Sequence, residues 1–145
     1  MFKGEYNHSI DDKGRIILPA KLREELGTKV VISRGIDPCL YIYTKDEWEK
    51  FEEKLAALSL LNPRSRMMQE YFSSGGVDCD LDKQGRIVVP PNHRKVFGDC
   101  KDMTLIGAGR RIEIWSEPAW KEHISRISDD LESLTEELAE LGVIL

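Results

Sequence analysis

The chain repeats one short pattern, and this internal repeat constrains its fold more than any other feature. Residues 11–19, DDKGRIILP, align with residues 82–90, DKQGRIVVP. The alignment continues through each copy and, after one inserted residue, pairs Trp48 with Trp120. A repeat of this kind determines the architecture, because each copy forms the same structural unit. Each half of a 145-residue chain is too small for a large core of its own, so we expect the halves to share one.

Each copy predicts the element order ββαββ. The first copy is expected to form strands at residues 5–10, 16–18, 29–34 and 40–43, with a short helix at 19–26. The second copy is expected to form strands at residues 77–81, 87–89, 103–106 and 112–115, with a short helix at 90–97. β-Branched residues and a turn glycine predict that the first two strands of each copy form a hairpin. Pro19 and Pro90 suit helix starts, and Gly27 and Gly98 suit helix ends.

Further helices follow each copy. Apolar residues at helical spacing predict a helix that contains Trp48, Phe51, Leu55 and Leu58, and a second helix is expected at residues 63–72. After the second copy, apolar residues alternate spacings of four and three from Trp120 to Leu141, which is a heptad pattern. It predicts one long amphipathic helix, packed either on its own barrel or on a neighbouring subunit.

These patterns divide the chain into four parts. We expect a first half at residues 5–47, a helical connector and linker at 48–75, a second half at 76–119 and a C-terminal amphipathic helix at 120–145. The sequence Ser-Ser-Gly-Gly at residues 73–76 is interpreted as a linker between the halves.

Composition favours a globular cytoplasmic protein. Hydrophobic residues make up 41% of the chain and charged residues 32%, and no apolar run approaches the roughly 20 residues of a membrane span. The first residues lack the apolar region of a signal peptide. The three cysteines are widely spaced, without a C-x-x-C pair, and predict buried free thiols rather than disulfides or a zinc site.

The net charge of −5 is unevenly distributed along the chain. Residues 116–145 contain two Lys and Arg against eight Asp and Glu, whereas the remainder is nearly balanced. The balanced part can therefore present a local basic face despite the acidity of the whole chain.

The turn between the first two strands carries the candidate chemistry. A carboxylate can accept backbone N–H bonds within the turn, and a glycine can adopt the left-handed conformation. A generic hairpin would not require arginine after the glycine, yet Arg15 and Arg86 occupy that place in both copies. The guanidinium fork matches phosphate oxygens and the O6/N7 edge of guanine, so we expect each hairpin tip to enter a DNA major groove, with Asp11 and Asp82 orienting the forks. Nearby basic residues expected to contact phosphates are Lys13, Lys21, Arg23, Lys83 and Arg94.

Three motifs give the chain a family resemblance. They are Met1-Phe2-x-Gly4, Asp11-x-Lys13-Gly14-Arg15-Ile16-x-Leu18-Pro19 and Asp82-x-x-Gly85-Arg86-Ile87-x-Val89-Pro90. Over essentially its whole length the chain closely resembles the MraZ family of bacterial transcriptional regulators, which hold two AbrB-like swapped-hairpin domains in one chain. The resemblance implies an α+β, mainly β fold, in which two ββαββ halves form a pseudo-two-fold swapped-hairpin barrel with flanking helices.

The same resemblance implies a function. It implies a ring-shaped homo-oligomer that associates with the nucleoid and represses the promoter of the division and cell wall gene cluster. It also implies that Asp11, Arg15, Asp82 and Arg86 are the signature positions. One departure is that Gln84 stands where the first copy has Lys13, so equal phosphate contacts from the two turns are not implied. We expect double-stranded DNA carrying directly repeated, guanine-containing boxes to be the partner.

Other functions find less support in the sequence. Asp78, Asp80 and Asp82 begin like a calcium loop, but Lys83 and Val89 stand where that loop needs Gly and Glu. The histidines lack metal-site spacing, and no nucleophile, base and orienting acid can be assembled. We therefore expect no enzyme activity, cofactor, metal, membrane or small-molecule substrate. Two alternatives are a structural or protein-binding ring module and an antitoxin-type protein; the doubled pattern disfavours the second.

Overall fold

The computed structural model describes residues 1–144 and has the predicted ββαββ order in each copy. The first copy contains β1 (Glu5–Ser9), β2 (Arg15–Ile17), α1 (Ala20–Leu26), β3 (Lys29–Arg34) and β4 (Leu40–Thr44). The second copy contains β5 (Val77–Asp80), β6 (Arg86–Val88), α4 (Pro91–Arg94), a 3-10 turn (Lys95–Phe97), β7 (Asp102–Gly107) and β8 (Ile112–Ser116). Helices α2 (Lys45–Ala56) and α3 (Pro63–Gly75) lie between the copies, and α5 (Glu117–Asp129) and α6 (Leu131–Glu140) follow the second. The α+β class is confirmed.

The strands exchange partners between the two copies. They form a six-stranded antiparallel sheet in the order β1-β7-β8-β4-β3-β5 and a two-stranded sheet of β2 and β6, which we call the ribbon. The first strand of each copy pairs with the other copy, β1 with β7 and β5 with β3, so the arrangement is swapped and pseudo-two-fold. Within the part of the chain that the structure describes, β1 and β5 remain unpaired with each other, so the barrel is open.

The hairpin predicted between the first two strands does not form as a ladder. In the first copy only an isolated bridge, Ile10 to Ile16, joins the two segments. The reason is competition from the other copy, since β1 makes a five-residue ladder with β7 and β2 pairs with β6. Each of the two turns is therefore attached to a ribbon that both copies build.

The large sheet has an apolar core on each of its faces. The first lies between the ribbon and the large sheet and contains the fully buried side chains of Ile16, Leu18, Ile87, Val89, Ile32, Ile42, Leu105, Ile112 and Ile114. The second lies on the opposite face of the large sheet and contains Val31, Tyr41, Tyr43, Trp48, Phe72 and Trp115. Alternating residues of β3 and β4 contribute to different cores, as the two-residue period of a strand requires. Helices α2, α3 and α5 thus cover the face that is away from the ribbon.

Residues 73–76, interpreted from the sequence as a linker, form the last residues of α3 and its C-terminal cap. α3 continues through Gly75, whose carbonyl oxygen lies 2.7 Å from His93 Nε2. A Cβ atom added at Gly76 would lie 2.6 Å from Trp48 Cζ2. These glycines therefore allow close packing of the chain against its neighbours rather than freedom of movement.

The C-terminal amphipathic segment is helical as expected, but it consists of two helices. They meet at Asp130, which has φ −99° and ψ 7°. The packing partner of Trp120 on α5 is Trp115 of the sheet, with ring centroids 5.5 Å apart. In contrast, Leu131 of α6 and Leu141 just after it are 56% and 80% exposed, so this segment does not bury its apolar side against its own sheet.

All three cysteines are free thiols. Cys39 is buried, while Cys79 and Cys100 are half-buried. Burial raises the pKa of the Cys39 and Cys79 thiols above the ordinary value, which keeps them protonated and unreactive near neutral pH. Within residues 1–144, no helix has the length and apolar character needed to cross a membrane.

Candidate nucleic-acid interface

The outer face of the ribbon presents two arginines and two β-branched residues. Arg15 lies opposite Val88 and Ile17 lies opposite Arg86 in the antiparallel register, while the residue between them on each strand is fully buried. The two arginines correspond to each other in the repeat and therefore occupy diagonal corners of this face. Ile17 and Val88 are 49% and 51% exposed, which is unusual for aliphatic side chains in a sheet that has a core beneath it.

The turn before β2 fixes the Arg15 side chain. One carboxylate oxygen of Asp11 accepts hydrogen bonds from the backbone N–H groups of Lys13 and Arg15, both at 2.9 Å. The other oxygen accepts a bond from Arg15 Nε at 2.5 Å. Gly14 has φ +80° and donates its N–H to the Asp11 carbonyl at 3.0 Å. No protein group among residues 1–144 bonds the terminal Arg15 nitrogens Nη1 and Nη2, so the fork has donors left for a ligand.

The turn before β6 repeats this geometry. Asp82 accepts bonds from the backbone N–H groups of Gln84 and Arg86 at 2.9 Å each, and from Arg86 Nε at 2.7 Å. Gly85 has φ +75°. The replacement of lysine by Gln84 leaves this bonding unchanged, because the residue takes part only through its backbone N–H.

The two aspartates remain ionised far below neutral pH. The backbone N–H of Arg15 and then its side chain hold the pKa of Asp11 below the ordinary value, and Arg86 acts in the same way on the pKa of Asp82. A lowered pKa means that the turn contributes its full stability above the unfolded carboxyl pKa of about 3.9 and loses it as the pH falls through the lowered value. The arginines are therefore held in the same way throughout the physiological pH range.

Arg23 and Arg94 lie against the turns of the opposite copy. Arg94, at the end of α4, packs over Gly14 and lies 3.4 Å from the Asp12 carbonyl through Nη1. Arg23, in α1, packs over Gly85 in the equivalent way and has the same 3.4 Å contact with the Gln84 carbonyl. The Nε atoms of both arginines are buried without a hydrogen-bond partner in the described part of the chain. Each copy thus braces the turn of the other.

The remaining predicted residues are lysines, two in the turns and one on α1. Lys13, Lys21 and Lys83 are exposed, and no carboxylate of residues 1–144 lies within ion-pair distance of them. Sequence reasoning did not single out Ile17 and Val88, although their outward position follows from the strand period. Nor did it identify the ion pair of Lys101 with Asp12, at 3.0 Å, which joins residues distant in sequence.

A double-mutant cycle should detect the brace between Arg23 and the turn. A Cβ at Gly85 would lie 1.9 Å from Arg23 Nη1, so we expect Gly85→Ala both to strain the positive φ and to displace the arginine. In an Arg23→Ala background, the loss of unfolding free energy caused by Gly85→Ala should be smaller by about 0.5–1 kcal/mol. Urea unfolding of the four proteins measures this coupling.

Gly98→Ala provides the control for that cycle. Gly98 also has a positive φ, of +59°, but nothing lies within 4 Å of the Cβ that it would gain. Its effect on stability should be the same in the wild-type chain and in the Arg23→Ala background. Equal coupling for Gly85 and Gly98 would show that Arg23 does not brace the turn.

Comparison with known proteins identifies the family of the chain. The family model of the MraZ protein matches the chain twice, at residues 1–71 and 72–141. Curated relatives named transcriptional regulator MraZ are 45% identical in Desulfitobacterium hafniense strain Y51, 43% in Moorella thermoacetica and 46% in Clostridium tetani. Each alignment spans 143 residues, which is 99% of this chain and 100% of the relative.

One solved structure also aligns with the chain, with a TM-score of 0.31 and 16% identity. Its title is "The solution structure of PHS018 from pyrococcus horikoshii". The alignment covers 79% of this chain and 88% of that one. The family assignment rests on the sequence matches, which extend over both repeats and nearly every residue. The chain belongs to the MraZ family.

Proposed function

We propose that this protein is a sequence-specific DNA-binding transcriptional regulator that contacts the major groove with the outer face of its ribbon. The observation that carries the proposal is the repeated turn geometry, in which Asp11 and Asp82 hold Arg15 and Arg86 by their Nε atoms and leave the terminal nitrogens available. The names of the curated relatives support transcriptional regulation as the biological role.

The ribbon suits direct recognition of bases. A two-stranded β-ribbon fits the major groove, and an arginine fork donates two hydrogen bonds to the O6 and N7 atoms of guanine. Because Nε is already bonded to aspartate, the fork has a fixed direction before DNA arrives. Such preorganisation lowers the entropic cost of binding. In this proposal Arg15 and Arg86 each read one guanine.

The surrounding basic residues position the ribbon without reading sequence. In this proposal Lys13, Lys21 and Lys83 contact phosphates, as do the N–H groups of Arg23 and Arg94 that the turns leave available. The second turn has Lys83 and Gln84 where the first has Asp12 and Lys13, so its phosphate contacts differ in position. In this proposal the two halves, residues 5–47 and 76–119, together form the DNA-binding unit. Residues 48–75 are the connector, and residues 120–145 are the C-terminal segment.

Several ribbons acting together would provide the affinity. We infer a ring-shaped homo-oligomer that binds directly repeated, guanine-containing boxes about one helical turn apart, since linked contacts gain from effective concentration. Repression of the division and cell wall gene cluster promoter and association with the nucleoid complete the proposal, and both follow from the family resemblance. The proposal assigns no catalytic step, and residues 1–144 contain no cluster of three or more His, Cys, Asp or Glu arranged to hold a metal.

Titration of DNA tests the proposal. The duplex from upstream of the protein's own gene should bind about 1,000-fold or more tightly than a shuffled duplex of equal composition. Its affinity should fall steeply and linearly, on logarithmic scales, as salt rises from about 50 to about 200 mM, because phosphate contacts release counterions. Fluorescence anisotropy measures both. Absence of duplex binding at every salt concentration would instead favour a structural or protein-binding ring module.

A further inference from the structure

The exposed side of α6 is an apolar feature that the proposed DNA contact does not use. Leu131, Leu134 and Leu138 of α6 and its C-cap Leu141 follow each other at spacings of three and four, so they lie along one side of the helix. They are 56%, 38%, 38% and 80% exposed. A contiguous apolar side of this kind is characteristic of a protein interface. We call these four residues the apolar stripe.

The charge around the apolar stripe restricts what can cover it. After Arg126 the sequence contains six Asp and Glu and no Lys or Arg. None of those carboxylates forms an ion pair within residues 1–144. Glu137 flanks the stripe on the helical wheel, whereas Glu136 projects from the opposite side. Two α6 helices brought together would repel each other, so self-association through this helix is disfavoured.

A face of α3 has the complementary character. Arg64, Met67, Met68 and Tyr71 are spaced by three, four and seven residues and therefore share one side of that helix. Met67 is 65% exposed and Met68 is 41% exposed, and Leu61 just before the helix is 91% exposed. We call these five residues the α3 face.

The α3 face carries a positive charge, on Arg64. Arg64 has no ion-pair partner among the described residues, whereas Arg66 projects from the other side of the helix and bonds the Leu60 carbonyl oxygen at 2.6 Å. Glu70 is the one acidic residue between positions 60 and 72. Methionine side chains adapt their shape to a partner surface, which suits a docking face.

We propose that the apolar stripe of α6 docks on the α3 face of a second copy of this chain, with Glu137 beside Arg64. The two surfaces are both apolar and have opposite charge, which makes another copy the fitting occupant. Because the surfaces differ, the contact is head-to-tail, and repetition of one such contact closes a ring when the rotation between subunits allows it. The contact rests on the oligomer of the proposed function and identifies its surfaces. It uses α3 and α6, so it leaves the outer face of the ribbon available.

Charge reversal in the full chain tests the contact. Glu137→Arg should weaken subunit association about tenfold or more, because it places arginine beside arginine. Arg64→Glu should weaken it similarly, and the two substitutions together should restore association. Glu136→Arg has the same change in charge on the opposite side of α6 and should have a much smaller effect. Native mass spectrometry and sedimentation over a range of protein concentrations measure the oligomer.

A second variant removes the apolar contribution. Leu134→Glu with Leu138→Glu should give monomers, and circular dichroism should confirm that the exposed substitutions leave the fold intact. The proposal is overturned if these variants assemble as the wild type does, or if the wild type is monomeric at every concentration. It is also overturned if Glu137→Arg strengthens association and Arg64→Glu has no effect, since that pattern indicates pairing of two α6 helices.

The DNA titration keeps this proposal separate from the proposed function. A monomeric Leu134→Glu, Leu138→Glu variant should still prefer its own upstream duplex to the shuffled one, with weaker overall affinity because multivalency is lost. If the DNA proposal alone is wrong, sequence-specific duplex binding is absent, but the wild-type chain still forms an oligomer that charge reversal weakens. If the contact alone is wrong, sequence-specific duplex binding remains.

Discussion

Replacement of both Arg15 and Arg86 by alanine is expected to abolish the preference for the upstream duplex over a shuffled one. A bidentate contact of arginine with guanine contributes about 1–3 kcal/mol of discrimination, and each subunit has two such forks. The fold should persist, because the aspartates keep their backbone hydrogen bonds within the turns. The oligomer should persist as well, since α3 and α6 lie outside the ribbon. Anisotropy titrations of both duplexes and native mass measurement test these expectations.

Two control variants refine this experiment. Arg110→Ala removes an arginine from the β7–β8 connection, where the side chain is 59% exposed and lies 3.6 Å from Glu47, and it should leave DNA discrimination unchanged. Arg15→Lys with Arg86→Lys retains the charge but removes the planar fork. That variant should keep weak, salt-dependent binding to any duplex while losing sequence preference. Unchanged affinity of the double alanine variant for the upstream duplex would disprove recognition by the ribbon.

Trp115→Ala is expected to cause a large loss of stability, about 3–5 kcal/mol of unfolding free energy. Trp115 is fully buried on the large sheet, and its indole stacks on His123 with ring centroids 4.4 Å apart. Its Nε1 also donates a hydrogen bond to Glu113 at 2.9 Å. The substitution therefore opens a cavity and removes one partner of a buried carboxylate. Urea unfolding followed by circular dichroism measures the loss.

Trp115→Phe separates the two contributions to that loss. It keeps most of the ring but removes the N–H group, so it should cost less than the alanine variant. Unpairing a buried acceptor costs about 1–3 kcal/mol, and here Arg111 continues to bond the other oxygen of Glu113 at 2.7 Å. If Trp115→Ala were nearly neutral, the second core would not contribute to global stability in the way that its burial indicates.

The sequence predicted the secondary structure closely, because the same pattern of strands and helix occurs in both copies. Strand β3 has the expected bounds, and each of the other strands differs from its expected bounds by one residue at one or both ends. The pairing of strands was harder to predict. Alternating apolar residues show which side of a strand is buried but not which strand lies beside it, so the predicted local hairpin gave way to ladders with the other copy.

The candidate site shows the same division between local and distant contacts. The interaction of Asp11 with Arg15 lies within one turn, and its repetition in the second copy made it visible in the sequence. The packing of Arg94 over Gly14 joins residues that are distant in the chain, and no local pattern indicates it. The break between α5 and α6 at Asp130 could not be predicted either, because the apolar spacing of three and four residues continues through it.

The register at the pseudo-two-fold axis has a consequence for how the two halves evolve. Tyr41 of β4 lies opposite Glu113 of β8, and the two residues occupy the same position in the repeat. In a dimer of identical halves the residue at such an axis faces its own copy, so two glutamates or two tyrosines would meet there. Instead, the Arg111 guanidinium stacks 4.2 Å above the Tyr41 ring and bonds Glu113. Covalent fusion of the halves has therefore released this position from self-complementarity and allows each half to accumulate substitutions that its counterpart does not share.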